Sequence, residues 1–384
     1  MRMDDLAFVG TRTTAKRGAL GRGIEVFDSS REPWVSIETL PAVNPSFLAL
    51  DRRRSVLHAV HGDMSELSSY TIRHGAGERA GPVLEPLAQR DTQGTNPAHL
   101  AFDPTGNWLI VANHSSGTLA SFRISASGAP SEAVDVLALT GQPGPITGDQ
   151  TGSKPHQVVF VETSRASETA RAQPDRAHFL VPDKGLDTVF KCAIDGATGQ
   201  MTVISRIRLR QGCGPRHLAV HPHADLIYVL GELGNTVTVI TGAKSQSDTM
   251  MEAVQILPTL PEDDVRDSRG GEIVLGRDGT TVWATNRSGA GDSTAGGPEP
   301  DSAAVWDIGE DGRLLLRGHA TTGGIRPRSA AVDPRRPGLD IALERSHRIV
   351  RVGEESSEPR VLADAMSPVC IVFGMPAPGD AAAV

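Results

Sequence analysis

The sequence predicts an all-β fold, a seven-bladed β-propeller in which every blade is a four-stranded antiparallel sheet. A unit of about 50 residues recurs along the 384-residue chain, and such a period is typical of propeller blades. The apolar runs within each unit are short, and no long helical stripe stands out. Glycine (41) and proline (26) are both abundant, as expected where tight turns join many short strands.

Each copy of the unit begins with a proline-x-polar element. An apolar run, a turn at Asp-Pro, His-Pro or Gly, and a second apolar run follow. The copies open with these stretches: NPSFLAL at 44, NPAHLAF at 96, KPHQVVF at 154, GPRHLAV at 214, GGEIVLG at 270, RPRSAAV at 326 and SPVCIVF at 367. Their marker positions are 45, 97, 155, 215, 271, 327 and 368, spaced by 52, 58, 60, 56, 56 and 41 residues. Seven markers predict seven blades, although the fifth copy lacks the leading proline.

The last spacing is short because the chain ends, so the final blade needs strands from elsewhere. We expect the opening runs LAFVGTR and GIEVFDS to complete it beside the C-terminal segment, which would leave no open sheet edge. One propeller domain is therefore predicted over residues 1–384. The stretches 164–177 and 289–302 are predicted surface loops, and 247–257 is predicted to hold one helical turn.

Composition excludes several classes of function. The formal net charge of −8 argues against nucleic acid and anionic membranes as partners. Three scattered cysteines without a CxxC pair do not form a disulfide framework or a structural zinc site. The first residues do not resemble a signal peptide, and no apolar stretch reaches the roughly 20 residues that cross a bilayer. We expect a cytoplasmic monomer.

Several of these blocks resemble the lactonase-type seven-bladed propeller family. That family includes bacterial 6-phosphogluconolactonases and fungal 3-carboxy-cis,cis-muconate lactonizing enzymes. The most specific matches are GPRHLAVHPHADLIYVLGEL and GEIVLGRDGTTVWATNR, and the resemblance runs roughly from residue 7 to residue 373. It implies an active site that contains His156, Arg216, Glu232 and Arg287. The family usually has a second histidine where Lys154 stands here.

The residue types suit a lactone reaction. Arg216 and Arg287 would bind a carboxylate or phosphate and stabilise the oxyanion formed when a lactone carbonyl is attacked. His156 would transfer protons near neutral pH. Glu232 would activate water or hold a neighbouring side chain in place. No metal or other cofactor is expected.

The sequence adds weaker candidates for the same site. His99 and His217 are predicted to bind substrate, because they occupy matching places in the second and fourth copies. Lys184 and Arg328 could add positive charge at the mouth of the channel. His217, His221 and His223 are close in sequence, but the latter two occupy a turn where sister copies have Asp-Pro, so a metal cluster is not expected.

Three functions follow from this site. The leading hypothesis is hydrolysis of an anionic sugar lactone, with 6-phosphogluconolactone as the first candidate. The second is a cycloisomerase that opens or closes a lactone on a carboxylated muconate with the same residues. The third is a propeller that binds a protein or small ligand without catalysis. Retention of all four family residues argues against the third.

Overall fold

The computed structural model describes residues 2–74, 82–161, 176–244, 250–264, 266–290, 299–353 and 358–375. In these ranges the chain forms seven four-stranded antiparallel sheets and two single-turn 3₁₀ helices, Met3–Asp5 and Ala15–Arg17. The innermost strands of neighbouring sheets contact each other, except that the innermost strand of the fourth sheet contacts the second strand of the third. These contacts arrange the sheets in a ring around a channel. The predicted seven-bladed β-propeller is confirmed.

The chain opens with three strands of the seventh blade, and blades one to three follow. The seventh blade takes β1 (Leu6–Thr11), β2 (Gly23–Asp28) and β3 (Val35–Pro41). Blade one is β4 (Pro45–Asp51), β5 (Val56–His61), β6 (Glu66–His74) and β7 (Pro82–Asp91). Blade two is β8 (Pro97–Phe102), β9 (Trp108–Asn113), β10 (Thr118–Ile124) and β11 (Pro130–Ala138). Blade three is β12 (Val159–Val161), β13 (Arg176–Asp183), β14 (Thr188–Asp195) and β15 (Met201–Arg208).

The remaining blades follow in chain order and run from the channel outward. Blade four is β16 (Pro215–Val220), β17 (Leu226–Gly231), β18 (Thr236–Thr241) and β19 (Glu252–Pro258). Blade five is β20 (Ser268–Leu275), β21 (Thr281–Ser288), β22 (Ser302–Ile308) and β23 (Leu314–Thr321). Blade six is β24 (Pro327–Ala331), β25 (Leu339–Leu343), β26 (Arg348–Val352) and β27 (Arg360–Asp364). The last strand, β28 (Pro368–Phe373), completes blade seven.

The two ends of the chain close the ring, as predicted. Strand β28 pairs with β1, which continues to β2 and β3, and Phe8 lies opposite Val372 in this ladder. Buried ion pairs between blade six and the β2–β3 loop of blade seven also support the closure. Arg351 of blade six binds Asp340 at 2.6 Å and, through Nη1, Glu32 of the β2–β3 loop at 2.5 Å. The pairing gives β1 a partner strand on both sides, so its backbone N–H and C=O groups are not left as an exposed sheet edge.

The hydrophobic core lies between the faces of neighbouring blades. Trp108 of blade two packs in one cluster with Phe179 and Phe190 of blade three. Tyr228 of blade four packs in another with Trp306 of blade five. Because the strands alternate their side chains between two faces, each blade contributes to the clusters on both of its sides.

One local prediction, the helical turn, is wrong, and the two predicted surface loops lie mostly outside the described residues. The helical turn expected over 247–257 is wrong, because residues 252–258 form the outer strand β19 and pair with β18. Residues 245–249 lie outside the described residues, as do 162–175 and 291–298. Those last two segments hold most of the predicted surface loops 164–177 and 289–302. Over the described ranges, the structure has no helix long and apolar enough to span a membrane.

The start of each inner strand has a recurring backbone geometry. The residue before the marker proline adopts a left-handed conformation in five blades: Asn44 (φ 41°), Asn96 (φ 53°), Gly214 (φ 57°), Arg326 (φ 59°) and Ser367 (φ 50°). Immediately after the proline the pairing register shifts, for example between 45 and 47 and between 215 and 217. Such bulges turn one side chain away from the regular alternation of the strand. Here they direct the residue after the marker toward the channel.

Candidate active site

A ring of seven equivalent positions surrounds one end of the channel. The residue after each marker lines the same cavity: Ser46, Ala98, His156, Arg216, Glu272, Arg328 and Val369. Blades three to six contribute the titratable or charged members of this ring. Blades seven, one and two contribute valine, serine and alanine. The cavity has a volume of about 440 Å³. At these seven positions, therefore, one half of the ring carries titratable or charged side chains and the other half carries small ones.

The cavity is basic although the whole chain is acidic. Its described cationic residues are Arg12, Arg17, Lys154, Lys184, Arg216, Arg269, Arg287 and Arg328, and its described acidic residues are Asp149, Glu232 and Glu272. Eight cations against three carboxylates contrast with a net charge of −8 for the chain. Such a local excess attracts small anions into a cleft.

Glu232, directly after β17, lies among three of these cations. Its Oε2 forms ion pairs with Arg216 Nε at 3.1 Å and with Arg287 Nη2 at 3.3 Å, and its Oε1 forms one with Lys184 Nζ at 3.2 Å. Burial alone would raise the pKa of Glu232, but the three cations together hold this pKa well below its usual value. Glu232 is therefore ionised at neutral pH and a poor proton acceptor. Its position favours holding the cations in place over activating water.

The backbone of two glycines fixes the guanidinium groups. Arg287 donates from Nε and Nη2 to the carbonyl of Gly270 at 3.1 and 2.6 Å, and Arg216 Nη1 donates to the carbonyl of Gly271. A Cβ on Gly271 would lie 2.3 Å from Thr285 Oγ1 and 2.5 Å from the carbonyl oxygen of Pro327, so glycine is required there. Burial lowers the pKa of Arg216 to about 9, and the group stays charged at neutral pH.

The histidines of the cavity form a connected group. His156 Nδ1 lies 3.2 Å from His217 Nε2, and His217 Nδ1 is hydrogen-bonded to the carboxylate of Glu272. The ring of His114 packs edge-on against His156, with 5.3 Å between the centroids. Burial lowers the pKa of both His156 and His217 well below 6.5. Both rings are therefore neutral at physiological pH.

The structure brings most of the predicted site residues together. His156, Arg216, His217, Glu232 and Arg287 all line the one cavity, as do the weaker candidates Lys184 and Arg328. Their proximity is a property of the fold, whereas their catalytic and binding roles stay predictions.

His99 lies differently from the other predicted site residues. It is buried behind the lining, where its ring packs on Phe47 at 4.0 Å and its Nδ1 accepts the N–H of Val158 at 3.4 Å. This position favours a supporting role over contact with substrate. His221 accepts N–H groups of its own turn at His223 and Ala224, and no three candidate ligands for a metal are grouped within the described ranges.

Sequence reasoning did not select Glu272, Asp149, Arg269 or Arg12. Glu272 follows a marker position, as His156 and Arg216 do, so the repeat alignment itself could have found it. Asp149 comes from the long connection between β11 and β12 and pairs with Arg269 at 2.9 Å and Lys184 at 3.5 Å. No local pattern marks a residue that a long loop carries across the mouth of a channel.

Comparison with known proteins identifies the class to which this fold and site belong. The family model described as lactonase, 7-bladed beta-propeller, matches residues 7–373. The chain belongs to this family.

Two sequence relatives and one solved structure are similar to this chain along most of its length. A 6-phosphogluconolactonase of Formosa agariphila is 27% identical over 357 residues, which is 89% of this chain and 90% of the relative. One from Bacillus subtilis is 25% identical and covers 96% of this chain and 98% of its own length. The structure of a periplasmic gluconolactonase of Pseudomonas aeruginosa superposes with a TM-score of 0.77 at 20% identity, covering 96% of this chain and 98% of that one. Because the two sequences are only 20% identical, this superposition supports the fold and nothing further.

Proposed function

We propose that this protein is a cofactor-independent lactonase that hydrolyses the lactone of a phosphorylated sugar acid, with 6-phosphogluconolactone as the leading substrate. The observation that carries the proposal is the cavity itself, where eight cations and three carboxylates surround neutral histidines. An anionic sugar lactone is attracted by the charge, and a neutral imidazole is available to accept a proton. The two curated relatives described above are 6-phosphogluconolactonases.

The reaction follows from the positions of these groups. His156 Nε2 makes no hydrogen bond to a described residue, and His156 lines the cavity. This nitrogen takes a proton from a water molecule as the water oxygen bonds to the lactone carbonyl carbon. The carbonyl oxygen becomes an oxyanion that the guanidinium groups of Arg216 and Arg287 stabilise. The bond to the ring oxygen then breaks, this oxygen takes the proton from His156, and the open hydroxy acid leaves.

Two cations in the cavity have the properties of a phosphate anchor. The side chains of Lys154 and Arg328 line the cavity, and neither makes an ion pair or a hydrogen bond with a described residue. The other arginines near the reactive half are already bound to Glu232 or to backbone carbonyls. A phosphate would therefore find its free donors at Lys154 and Arg328. Guanidinium and ammonium groups both bind phosphate, and the planar guanidinium does so with two parallel hydrogen bonds.

The two alternative functions are less well supported. A carboxy-muconate cycloisomerase would use the same residues for proton transfer to carbon, and a binding propeller would need no neutral histidine beside the guanidinium groups. The named relatives are lactonases, which favours hydrolysis.

A substrate screen tests the proposal. The purified protein is mixed with 6-phosphogluconolactone, gluconolactone and a carboxymuconolactone, and acid release and diene absorbance are followed against the spontaneous rates. We expect the largest acceleration for the phosphorylated lactone, unchanged in the surface variant Arg313→Ala, which alters an exposed ion pair with Asp311. Acceleration of diene formation alone would support the cycloisomerase, and no acceleration of any substrate would refute catalysis.

We further propose that the protein acts as a cytoplasmic monomer on this small substrate, without nucleic-acid or membrane partners. The three cysteines, Cys192, Cys213 and Cys370, are buried free thiols, which suits a reducing compartment. Cell fractionation and light scattering test the two parts. A periplasmic pool or a stable dimer would contradict them.

A further inference from the structure

We infer that Glu272, His217 and His156 act as one proton relay, in which Glu272 receives the proton that leaves the attacking water. The inference rests on the proposed lactone hydrolysis. It assigns positioning roles to Glu272, which the sequence analysis did not select, and to His217, which it predicted to bind substrate. His156 remains the only member that touches the reacting water.

The hydrogen bonds fix the direction of the relay. An ionised Glu272 accepts from His217 Nδ1–H, which leaves His217 Nε2 as an acceptor. That nitrogen lies 3.2 Å from His156 Nδ1 and accepts its proton. His156 Nε2 is then unprotonated and open to the cavity. One carboxylate thus selects the tautomer of two successive imidazoles and points a lone pair at the place where water must be activated.

The surroundings hold Glu272 and His217 in place. The backbone N–H of Glu272 donates to Thr285 Oγ1 at 2.9 Å, and Thr285 Oγ1 donates to the carbonyl of Pro327 at 2.8 Å. The ring of His217 lies edge-on to those of Phe47 and His99, at centroid distances of 6.4 and 6.0 Å. His217 is only 2% exposed. These contacts leave the imidazole little freedom to turn away from its two partners.

Electrostatics explain why a relay is needed. Burial lowers the pKa of His156, which makes an isolated imidazole at this place a weak base. Burial has the opposite effect on the carboxyl group and raises the pKa of Glu272 to about 7. A carboxyl group with this pKa can both accept and return a proton near neutral pH. The groups that face this carboxyl from other elements are His217, Arg216, His99, Arg287 and Cys370.

The transfer conserves protons at every step. The water proton bonds to His156 Nε2, the Nδ1 proton of His156 moves to His217 Nε2, and the Nδ1 proton of His217 moves to Glu272. When the ring oxygen of the lactone leaves, the same movements in reverse return one proton to that oxygen. The relay is then in its starting state, and the net reaction consumes one water per lactone.

A double-mutant cycle tests the relay. The variants are Glu272→Gln, which keeps the shape but cannot hold the proton as a carboxyl, and His217→Asn, which keeps an N–H toward Glu272 but not the link to His156. We expect each single variant to lower kcat by about 10²–10⁴-fold, the usual range for acid–base assistance, with little change in KM. Because the members act as one unit, the double variant should lose no more than the worse single variant.

The pH profile separates the relay from a merely structural role. In the wild type, kcat/KM should fall as the pH drops below about 7, the value to which burial raises the pKa of Glu272. In Glu272→Gln this limb should disappear between about pH 6 and 8, because the pKa of His156 lies well below this range. The matched control is His58→Asn, which alters a buried histidine bonded to Ser69 at 2.8 Å outside the cavity. It should change stability without changing the pH profile.

Each outcome decides between explanations. If His217→Asn keeps wild-type kcat while Glu272→Gln does not, Glu272 acts directly on water and the relay is refuted. Wild-type kcat in both variants also refutes it. If the variants do not fold, the imidazole proton spectrum of the wild type decides, because the His217–Glu272 bond predicts a far-downfield Nδ1 proton that disappears on acidification. A wild type that shows this proton but opens no lactone refutes the proposed function and the relay's catalytic role, while the hydrogen-bonded chain itself stands.

Discussion

The phosphate-anchor hypothesis makes a sharp prediction for Arg328→Ala. Arg328 occupies the bulge position of blade six, lines the cavity and makes no ion pair or hydrogen bond with a described residue. Its removal should therefore cost little folding free energy, because no ion pair or hydrogen bond is broken and repulsion with the neighbouring arginines is relieved. It should cost substrate affinity, because a phosphate loses a charge-assisted hydrogen bond worth about 1.5–3 kcal/mol.

The size of the effect follows directly. At 1.4 kcal/mol for each factor of ten, KM for 6-phosphogluconolactone should rise about 10- to 150-fold. KM for gluconolactone, which has no phosphate, should change less than about threefold, since only interactions with the missing group are lost. The assay is initial-rate acid release with both lactones, and Arg313→Ala serves as a surface control. Equal increases in KM for the two lactones, or none for either, would refute the anchor.

Three further substitutions probe the support of the site. Glu232→Gln should destabilise the fold by about 3–5 kcal/mol in chemical denaturation, because it leaves three buried cations without their carboxylate; an unchanged midpoint would contradict this. Arg287→Ala should mainly lower kcat for both lactones, because the oxyanion loses a guanidinium group that stabilises it. It should also lower the melting temperature, since it removes two bonds to Gly270. A rise in KM with unchanged kcat would contradict the oxyanion role. Gly271→Ala should destabilise by about 1–3 kcal/mol through overpacking against Thr285, and calorimetry showing wild-type stability would disprove the close approach.

The sequence predicts the ring well because a propeller repeats. The spacing of the seven markers predicts the blades, and the incomplete last copy predicts that β1 pairs with β28. The repeat does not predict the outer strands of the blades equally well. The helical turn predicted over 247–257 is wrong, and the outer strand β19 found there, Glu252–Pro258, is exposed or only partly buried along its length.

The site is less predictable because bulges break the alternation of side chains. His99 and His217 both follow their marker by two residues, yet only His217 lines the cavity. The register shifts at the same place in both strands, between Pro97 and His99 and between Pro215 and His217. Neither the repeat nor strand parity therefore shows which of the two histidines reaches the cavity. Glu272 follows the marker at 271 as Arg216 follows the marker at 215. The repeat therefore places Glu272 in the ring, but it does not indicate which ring positions have a chemical role.

The central claim is that a buried neutral imidazole beside two fixed guanidinium groups opens a bound lactone. Its most direct measurement compares wild type and His156→Gln for kcat with 6-phosphogluconolactone and for the dissociation constant of the product, 6-phosphogluconate. The account predicts a fall in kcat of about 10²-fold or more with product affinity within about threefold of wild type. A variant that hydrolyses the lactone at the wild-type rate would contradict it.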